Sequence, residues 1–396
     1  MEKTWRWFGK KDRITLSMLR QIGVEGIVTS LHEIPIGHVW PIETIREIQS
    51  YIESFDLNWS VVESLPISEV IKYGGAKRDQ LIENYKISLA NLGKCGIKTV
   101  CYNFMPVIDW VRTDLDYKLE NGTMSLFYDR IRLAYFDLKI LKRKGAEYDY
   151  SMEELCKVSE LDRRMSEAEK EKLIDVIIVK TQGFITGNIR SGEKDPVAHF
   201  RYLLSFYTDI DRKQLRENIR YFLLSIIPVC QEYGINMCIH PDDPPFQIFG
   251  LPRIVTNQED ITWILDSVQD THNGLTFCAG SLSAGKENDT RILARHFVNR
   301  THFVHLRSTE PLSDGNFVES SHLSGQGHLI DLIRLFECKN PGLPMRIDHG
   351  CMMLGDEGIG YNPGYSFYGR MQAFSQVEGM LSVVEDEIKR GLCLYL

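Results

Sequence analysis

Short apolar runs alternate with longer stretches of amphipathic spacing along most of the chain. The short runs have the length of strands, and several are apolar without interruption, as in parallel strands that are covered on both faces. The strands that this pattern predicts are Thr4–Phe8, Gly26–Leu31, Trp59–Ser64, Ile97–Phe104, Asn236–Pro241, Leu275–Gly280, His302–Arg307 and Met345–Gly350. Because these eight runs alternate with helical stretches, the pattern predicts an α/β fold, a (β/α)8 TIM barrel.

Helical spacing fills the intervals between these runs. Thr44–Phe55 is an early example, and Lys77–Gly96 and Lys213–Gly234 both end in glycine, the residue that commonly follows a helix. The stretch Ser375–Gly391 predicts the eighth helix. The alternation of strands and helices therefore continues to the end of the chain.

The interval between the fourth and fifth predicted strands is too long for a simple connection. Residues 116–212 are rich in Lys, Glu, Arg and Asp, and Ser151 and Ser166 begin the capping signals SMEE and SEAE. We expect one barrel domain over residues 1–396, with a mostly helical insertion at 116–212. The insertion is expected at the C-terminal side of the barrel, where it would help to close the site or form a subunit contact.

Composition and charge limit the possible partners. The chain has 396 residues, 43% of them hydrophobic and 25% charged, as in ordinary soluble enzymes. A net charge of -8 argues against a nucleic-acid partner, and the basic run Lys139–Tyr148 is interpreted as a solvated helix face. No stretch reaches the roughly 18 apolar residues of a membrane span, and the beginning of the sequence lacks a signal-peptide core.

The nine cysteines are scattered and form no C-x-x-C pair. An odd, irregular set without a signal peptide predicts reduced thiols and a cytoplasmic location.

Four consecutive predicted strands end in residues that can bind a metal ion. They are His240 in IHPDDPP, Cys278 in TFCAGS, His305 in VHLRS and Asp348 in IDHG. Each residue alone has an ordinary structural explanation. Four such residues at equivalent strand ends predict a metal site, because the active sites of TIM barrels lie at the C-terminal ends of the strands. Two imidazoles, a thiolate and a carboxylate suit Mn²⁺, Fe²⁺, Co²⁺ or Zn²⁺ rather than Mg²⁺ or Ca²⁺.

Asp348 and His349 are neighbours with different expected tasks. Adjacent side chains point to opposite faces of a regular strand, so Asp348 is predicted to bind metal from the barrel interior. The turn at Gly350 lets His349 swing over the barrel mouth as an acid or base. Arg346 shares the inward direction of Asp348 and is expected to pair with an acid such as Glu63, in a supporting or a purely structural role.

Several motifs in combination resemble the mannonate dehydratase family, and the likeness covers nearly the whole chain. The segments that carry it are WRWFG (Trp5–Gly9), CYNFMPVIDWVRTDL (Cys101–Leu115), IHPDDPP (Ile239–Pro245), FCAGS (Phe277–Ser281), FVHLRS (Phe303–Ser308) and RIDHG (Arg346–Gly350). That family is similar in fold to the xylose-isomerase-like barrels. The resemblance implies conversion of D-mannonate to 2-keto-3-deoxy-D-gluconate and water in hexuronate (glucuronate) catabolism, and we expect a homo-oligomer, namely a dimer.

The resemblance also implies a cofactor and catalytic residues. It implies one Mn²⁺ or Fe²⁺ per subunit, and the family's ligands fall on the same four strand-end residues. Its catalytic residues fall on His349 and Tyr365, with Tyr361 as a competing position in the same loop. For the substrate, Arg307 is the candidate for the carboxylate, and Asn103 and Asp243 are candidates for the hydroxyl groups.

The reaction needs removal of a weakly acidic proton and departure of a poor leaving group. The C2 proton is assigned to Tyr365, with His349 lowering the pKa of that tyrosine or delivering a proton to the departing hydroxyl. The reverse assignment stays open. Asp242 and Asp243 could instead orient His240, and Asp242 could equally belong to a rigid proline-locked turn.

Three alternatives remain. The nearest is a metal-dependent sugar isomerase or epimerase on the same barrel, which would use two metals or a carboxylate-rich site. A nucleic-acid-processing barrel or a nucleic-acid-binding protein would need a basic surface. A structural zinc protein would need four closed ligands without an acid or base at the barrel mouth, where His349 is expected.

Overall fold

The computed structural model describes residues 1–183, 189, 192 and 194–392, and eight of its strands close into a barrel. In chain order, the strands are β1 (Glu2–Arg6), β2 (Gly26–Thr29), β3 (Asn58–Glu63), β4 (Thr99–Tyr102), β5 (Asp114–Lys118), β6 (Met124–Tyr128), β7 (Asn236–Ile239), β8 (Asn273–Cys278), β9 (Thr301–Leu306), β10 (Ser308–Pro311), β11 (Phe317–Ser320) and β12 (Pro344–Ile347). The barrel order is β1-β12-β9-β8-β7-β4-β3-β2, and neighbouring strands pair in parallel. The predicted (β/α)8 barrel is therefore confirmed, and its eight strands are those that the apolar runs predicted.

Helices cover the outside of the barrel and form the insertion. The α-helices are Leu16–Gln21, Ile42–Glu53, Glu69–Lys72, Arg78–Lys94, Arg130–Tyr135, Met152–Asp162, Glu167–Ile174, Thr181–Gly183, Pro196–Ser205, Arg212–Tyr233, Gln258–Ser267, Ala279–Ser283, Thr290–Phe297, Leu329–Lys339 and Phe367–Lys389. Two π-helical turns lie at Phe136–Leu141 and Asp175–Lys180. Every residue of β2, β4 and β8 is buried, as expected for strands with the barrel interior on one face and helices on the other.

The ends of the long helices follow the predicted signals. The helix Arg212–Tyr233 begins after Asp211, whose side chain accepts a hydrogen bond from the backbone of Gln214, and it ends at Gly234 with φ 64°. Ser151 and Ser166 both form complete capping boxes at the beginning of insertion helices. The last helix begins at Phe367, earlier than the sequence pattern indicated.

A second sheet, which the sequence analysis did not predict, joins the insertion to the barrel. Its order is β10-β11-β6-β5, and its strands pair antiparallel. β5 and β6 lie at the beginning of the insertion, whereas β10 and β11 lie in the loop that follows β9. The segment 116–212 therefore contributes strands as well as helices.

Aromatic side chains anchor the helical part of the insertion to a loop of the barrel. The ring of Phe249, in the loop after β7, lies 5.6 Å from that of Phe136 and 5.4 Å from that of Phe200. Gln182 donates to the carbonyl of Trp110 at 2.8 Å and accepts from the backbone of Asp109 at 2.9 Å. These contacts connect the insertion to the segment that follows β4.

The cysteines partly follow expectation. Seven are free thiols, namely Cys95, Cys101, Cys156, Cys230, Cys238, Cys278 and Cys351. Cys338 is disulfide-bonded, so the expectation of a fully reduced set is wrong at that position. Cys393 lies outside the described residues.

In the described ranges, no helix combines the length and the hydropathy that crossing a membrane requires.

Candidate metal and catalytic site

Three of the four predicted ligands meet at the ends of adjacent barrel strands. His240 follows β7, Cys278 ends β8 and His305 lies in β9, where it is the register partner of Cys278. One ligand atom from each residue lies within 4.8 Å of the other two. Cys278 and His305 are fully buried and His240 is half-buried, so the trio (His240, Cys278 and His305) faces the interior near the barrel mouth.

The charges around the trio suit a metal ligand set. Burial alone would raise the pKa of the Cys278 thiol, but Arg307 and His240 lower it well below its usual range. Burial alone would lower the pKa of His240, but the Cys278 thiolate raises it to about 9. A thiolate beside two imidazoles is the donor set that borderline divalent cations prefer, so the residues present fit such an ion.

Asp348 lies next to the trio and is held by two arginines. Its Oδ2 is 3.8 Å from the sulfur of Cys278 and 2.9 Å from Nε of Arg307. Its Oδ1 accepts from Nη1 of Arg346 at 2.7 Å. Burial would raise the pKa of Asp348, but Arg346, His349 and Arg307 lower it well below its usual range. The carboxylate is therefore ionised and close enough to join the trio around a cation.

Glu63, Cys101 and His305 form a second group whose ligand atoms also lie within 4.8 Å of one another. Glu63 accepts hydrogen bonds from Arg346 at 2.8 Å through both of its oxygens and also pairs with Arg6. The predicted pairing of Arg346 with Glu63 is confirmed. Burial and Glu63 raise the pKa of the Cys101 thiol well above its usual range, so this group lacks the thiolate that the trio offers to a cation.

His349 is buried at the barrel mouth with its two nitrogens in different surroundings. Nδ1 lies 3.0 and 2.9 Å from the two carboxylate oxygens of Glu319, and Nε2 lies 3.7 Å from Oδ1 of Asp348. Trp110 flanks the ring, with centroids 5.1 Å apart. Gly364 has φ +80°, and a Cβ there would come within 2.8 Å of the imidazole, so the loop needs glycine to approach the ring.

Tyr365 contacts both Asp348 and His349, whereas Tyr361 lies at a neighbouring cavity. The hydroxyl of Tyr365 donates to Oδ1 of Asp348 at 3.3 Å, and its ring contacts that of His349 edge-on at 5.0 Å. Burial and Asp348 raise the pKa of Tyr365. Tyr361 is half-buried and lines a neighbouring cavity of about 670 Å³. The geometry therefore favours Tyr365 over its competitor as the residue beside the predicted ligands.

The predicted substrate residues line the central cavity but already have protein partners. Arg307 donates to Glu319 and to Asp243, both at 2.6 Å, and to Ser281 at 2.9 Å. Gly280 makes room for this guanidinium, because a Cβ there would lie 2.4 Å from its Nε.

Asp243 and Asn103 are also engaged. Arg112 donates to both oxygens of Asp243, at 2.7 and 3.1 Å. Asn103 donates to Asp109 at 2.5 Å. Asp242, by contrast, accepts from the backbone of Ile254 and Val255, both at 2.8 Å, and so stabilises its own loop.

The central cavity contains residues that the sequence analysis did not assign. Its volume is about 40 Å³, and its lining is Arg6, Glu63, Ser64, Cys101, Tyr102, Asn103, Asp109, Trp110, His240, Asp243, Arg307, Asp348 and His349. Arg6 is the last residue of β1. A search for polar residues at the C-terminal ends of the strands, which identified His240, would therefore also have identified Arg6. Glu319 is harder to identify from the sequence as a site residue. An acidic residue in a short strand after a turn is equally typical of a solvent-exposed hairpin.

Comparisons with known proteins identify the family of this chain. The family model described as D-mannonate dehydratase (UxuA) matches residues 1–391. The mannonate dehydratase of Marinomonas sp. (strain MWYL1) is 44% identical over 390 residues, which cover 96% of this chain and 98% of that relative. That of Chromohalobacter salexigens is 41% identical over 394 residues, covering 97% and 99%.

Solved structures point the same way. The mannonate dehydratase from Streptococcus suis serotype 2 is 32% identical, with a TM-score of 0.78 and coverage of 98% of this chain and 96% of that chain. A D-tagatose 3-epimerase-like protein, 9% identical with a TM-score of 0.53 over 98% of this chain and 100% of that chain, shares the fold. The chain belongs to the D-mannonate dehydratase family.

Proposed function

We propose that this protein removes water from D-mannonate and yields 2-keto-3-deoxy-D-gluconate. The observation that carries the proposal is the family match over residues 1–391. The trio and its acid–base neighbours supply the chemistry that such a reaction needs. A sugar isomerase or epimerase on the same barrel is not favoured, because the epimerase-like match is 9% identical and supports the fold alone.

The cofactor in this proposal is one Mn²⁺ or Fe²⁺ per subunit. His240, Cys278, His305 and Asp348 would hold it, on the evidence of the ligand atoms within 4.8 Å in the trio and of Asp348 beside Cys278. When bound, such an ion supplies Lewis-acid stabilisation of negative charge on substrate oxygens.

His349 and Tyr365 would move the protons. The hydroxyl of Tyr365 donates to Asp348 at 3.3 Å, so it holds a proton that it could give to a leaving hydroxyl group. His349 lines the cavity, and an imidazole is a stronger base than a protonated tyrosine, so His349 is the better candidate for the base. We therefore reverse the first assignment: Nε2 of His349 takes the C2 proton, and Tyr365 protonates the 3-hydroxyl as the C3–O bond breaks. Water leaves, and the resulting enol rearranges to the 2-keto acid.

Arg6 is a stronger candidate for the substrate carboxylate than Arg307. The guanidinium of Arg307 already meets Asp243, Glu319 and Asp348. Arg6 is buried at the cavity wall, and its Nε has no hydrogen-bond partner among the described residues. Arg307, Asn103 and Asp243 would then shape the cavity and contact the hydroxyl groups.

The direct test is turnover by protein that has been treated with a chelator. D-Mannonate is added with and without Mn²⁺, and the 2-keto product is followed by its reaction with a carbonyl reagent and by mass spectrometry. We expect a product lighter by one water only when metal is present. A product of unchanged mass would instead favour the isomerase or epimerase alternative, and no product with Mn²⁺ or Fe²⁺ would refute the proposal.

The assembly, the location and the insertion remain predictions. We expect a homodimer, a cytoplasmic address and an insertion at 116–212 that helps to close the site within one barrel domain. The contacts of Gln182 with Asp109 and Trp110 support the last point. Light scattering on the purified protein tests the dimer.

A further inference from the structure

The carboxylate of Glu319 and the ring of His349 form a buried pair that the proposed reaction has not yet used. Glu319 is 3% exposed and His349 is 5% exposed. Both carboxylate oxygens lie within 3.0 Å of Nδ1. An ionised carboxylate can only accept hydrogen bonds, so the proton in this contact belongs to Nδ1.

Glu319 is itself fixed from two sides. Its backbone carbonyl accepts from the hydroxyl of Ser125 at 2.6 Å, which attaches β11 to β6 in the second sheet. Its Oε1 accepts from Arg307 at 2.6 Å and from Nη2 of Arg112 at 2.6 Å. Burial would raise the pKa of Glu319, but Arg307, His349 and Arg112 lower it to about 2, so the carboxylate is ionised at any working pH.

We propose that Glu319 is the positioning residue of His349: it orients the ring by accepting the proton of Nδ1, which leaves Nε2, 3.7 Å from Oδ1 of Asp348, as the nitrogen available to the substrate. The inference rests on the proposed function, in which Nε2 takes the C2 proton. A carboxylate in this position fixes the tautomer of an imidazole and stabilises the imidazolium that forms when the proton arrives. Glu319 does not itself touch the reacting atoms in this account.

The same contacts predict what a near-isosteric change would do. Both arginines donate to Oε1, so in Glu319→Gln the amide oxygen should stay there and the amide NH₂ should take the place of Oε2. That place is 2.9 Å from Nδ1 of His349. The amide would then donate to Nδ1, and the proton of the ring would move to Nε2, where it blocks the base.

The experiment measures the tautomer and the kinetics separately. In protein labelled with ¹⁵N-histidine and loaded with the diamagnetic ion Zn²⁺, we expect the wild type to show the Nδ1–H form of His349 and Glu319→Gln to show the Nε2–H form. The signal is assigned by its loss in His349→Asn. In turnover, kcat should fall about 10²–10⁴-fold with little change in KM, because the base is lost and binding is not.

Asp243 provides a matched control for charge. It pairs with the same two arginines as Glu319. Asp243→Asn removes one negative charge from that cluster, and we expect the Nδ1–H form of His349 to remain. An identical tautomer change in Asp243→Asn would show that charge loss alone is responsible and would overturn the inference.

Two further variants keep the test decisive. In His349→Asn, the additional change Glu319→Gln should cause no further loss of kcat, whereas multiplying losses would overturn a role through His349. If Glu319→Gln fails to fold, Glu319→Asp keeps the charge but withdraws the carboxylate by about 1.5 Å, and we expect the same fall in kcat. Normal kcat in either folded variant would refute the positioning role.

Failure of the proposed function has a different signature. It would appear as wild-type protein that yields no 2-keto acid, whereas the NMR comparison reports the Glu319–His349 contact without any turnover.

Discussion

The barrel holds two groups built from the same kinds of side chain, and only one of them has the charges of a metal site. The trio and the second group share His305 and each contain one cysteine. Arg307 and His240 lower the pKa of the Cys278 thiol, whereas burial and Glu63 raise that of Cys101.

The difference teaches that ligand types and distances alone do not identify a metal centre. The cations next to the thiol decide which cysteine is an anionic ligand and which is a small apolar side chain.

The largest expected effect concerns the acid–base residues beside the trio. Tyr365→Phe and His349→Asn each remove one proton-transfer group, so we expect kcat to fall roughly 10²–10⁴-fold while bound metal stays at the wild-type level. Steady-state kinetics and metal analysis of the same samples measure both. The matched control is Tyr361→Phe, which should keep near-normal kcat; the opposite pattern would move the proton donor to Tyr361.

The cysteines test the comparison directly. Cys278→Ser should weaken metal affinity by more than about 100-fold, because even outer-shell changes cost roughly 10–100-fold. Cys101→Ser should leave the affinity close to that of the wild type. Competition with a fluorescent chelator gives both dissociation constants. Equal, tight binding by Cys278→Ser would remove Cys278 from the ligand set.

The raised pKa of His240 makes metal binding dependent on pH. A protonated imidazole cannot bind a cation, and the pKa of His240 without metal is about 9. Below that pH, binding must displace one proton, so affinity for Mn²⁺ should rise about tenfold per pH unit between pH 6.5 and 8.5. Calorimetry in buffers of different ionisation enthalpy counts the proton. An affinity independent of pH would mean that His240 is already neutral or is not a ligand.

The smallest expected effect is oxidative. A thiolate enters the oxidation ladder far more readily than a buried neutral thiol, so mild peroxide should oxidise Cys278 before Cys101. Activity should decline in parallel, most of all with Fe²⁺ bound, and thiol with fresh metal should restore part of it. Peptide mass spectrometry identifies the oxidised residue, and oxidation of Cys101 first would contradict the charge argument.

Much of the barrel could be predicted because its strands are continuous apolar runs between clear helix signals. The predicted ligands followed from one geometric rule, that strands in a barrel end on a common face. His240, Cys278 and His305 do meet there, and Asp348 lies beside Cys278.

The second sheet was missed for physical reasons. β5 is mostly exposed and β11 is four residues long, so neither has the apolar signature of a buried strand. The pairing of β11 with β6, which joins the two hairpins, connects segments that are distant in the chain, and local spacing does not report it. Because the second sheet was not predicted, Glu319, which lies in its strand β11, was not predicted as a site residue either. Arg307 was assigned from its strand-end position, whereas its engagement with Asp243 and Glu319 depends on how several loops pack.

The second sheet also sets the order in which the site can be completed during synthesis. Its hydrogen bond from Ser125 to Glu319 joins residues 194 positions apart, and contacts of such separation form late because closing the intervening loop costs entropy. The trio is present once residue 305 has been made, whereas Glu319, His349 and Tyr365 follow. A nascent or truncated chain that ends before β11 would therefore contain His240, Cys278 and His305 without Asp348 or the proton-transfer residues, and β6 would have only β5 as a partner.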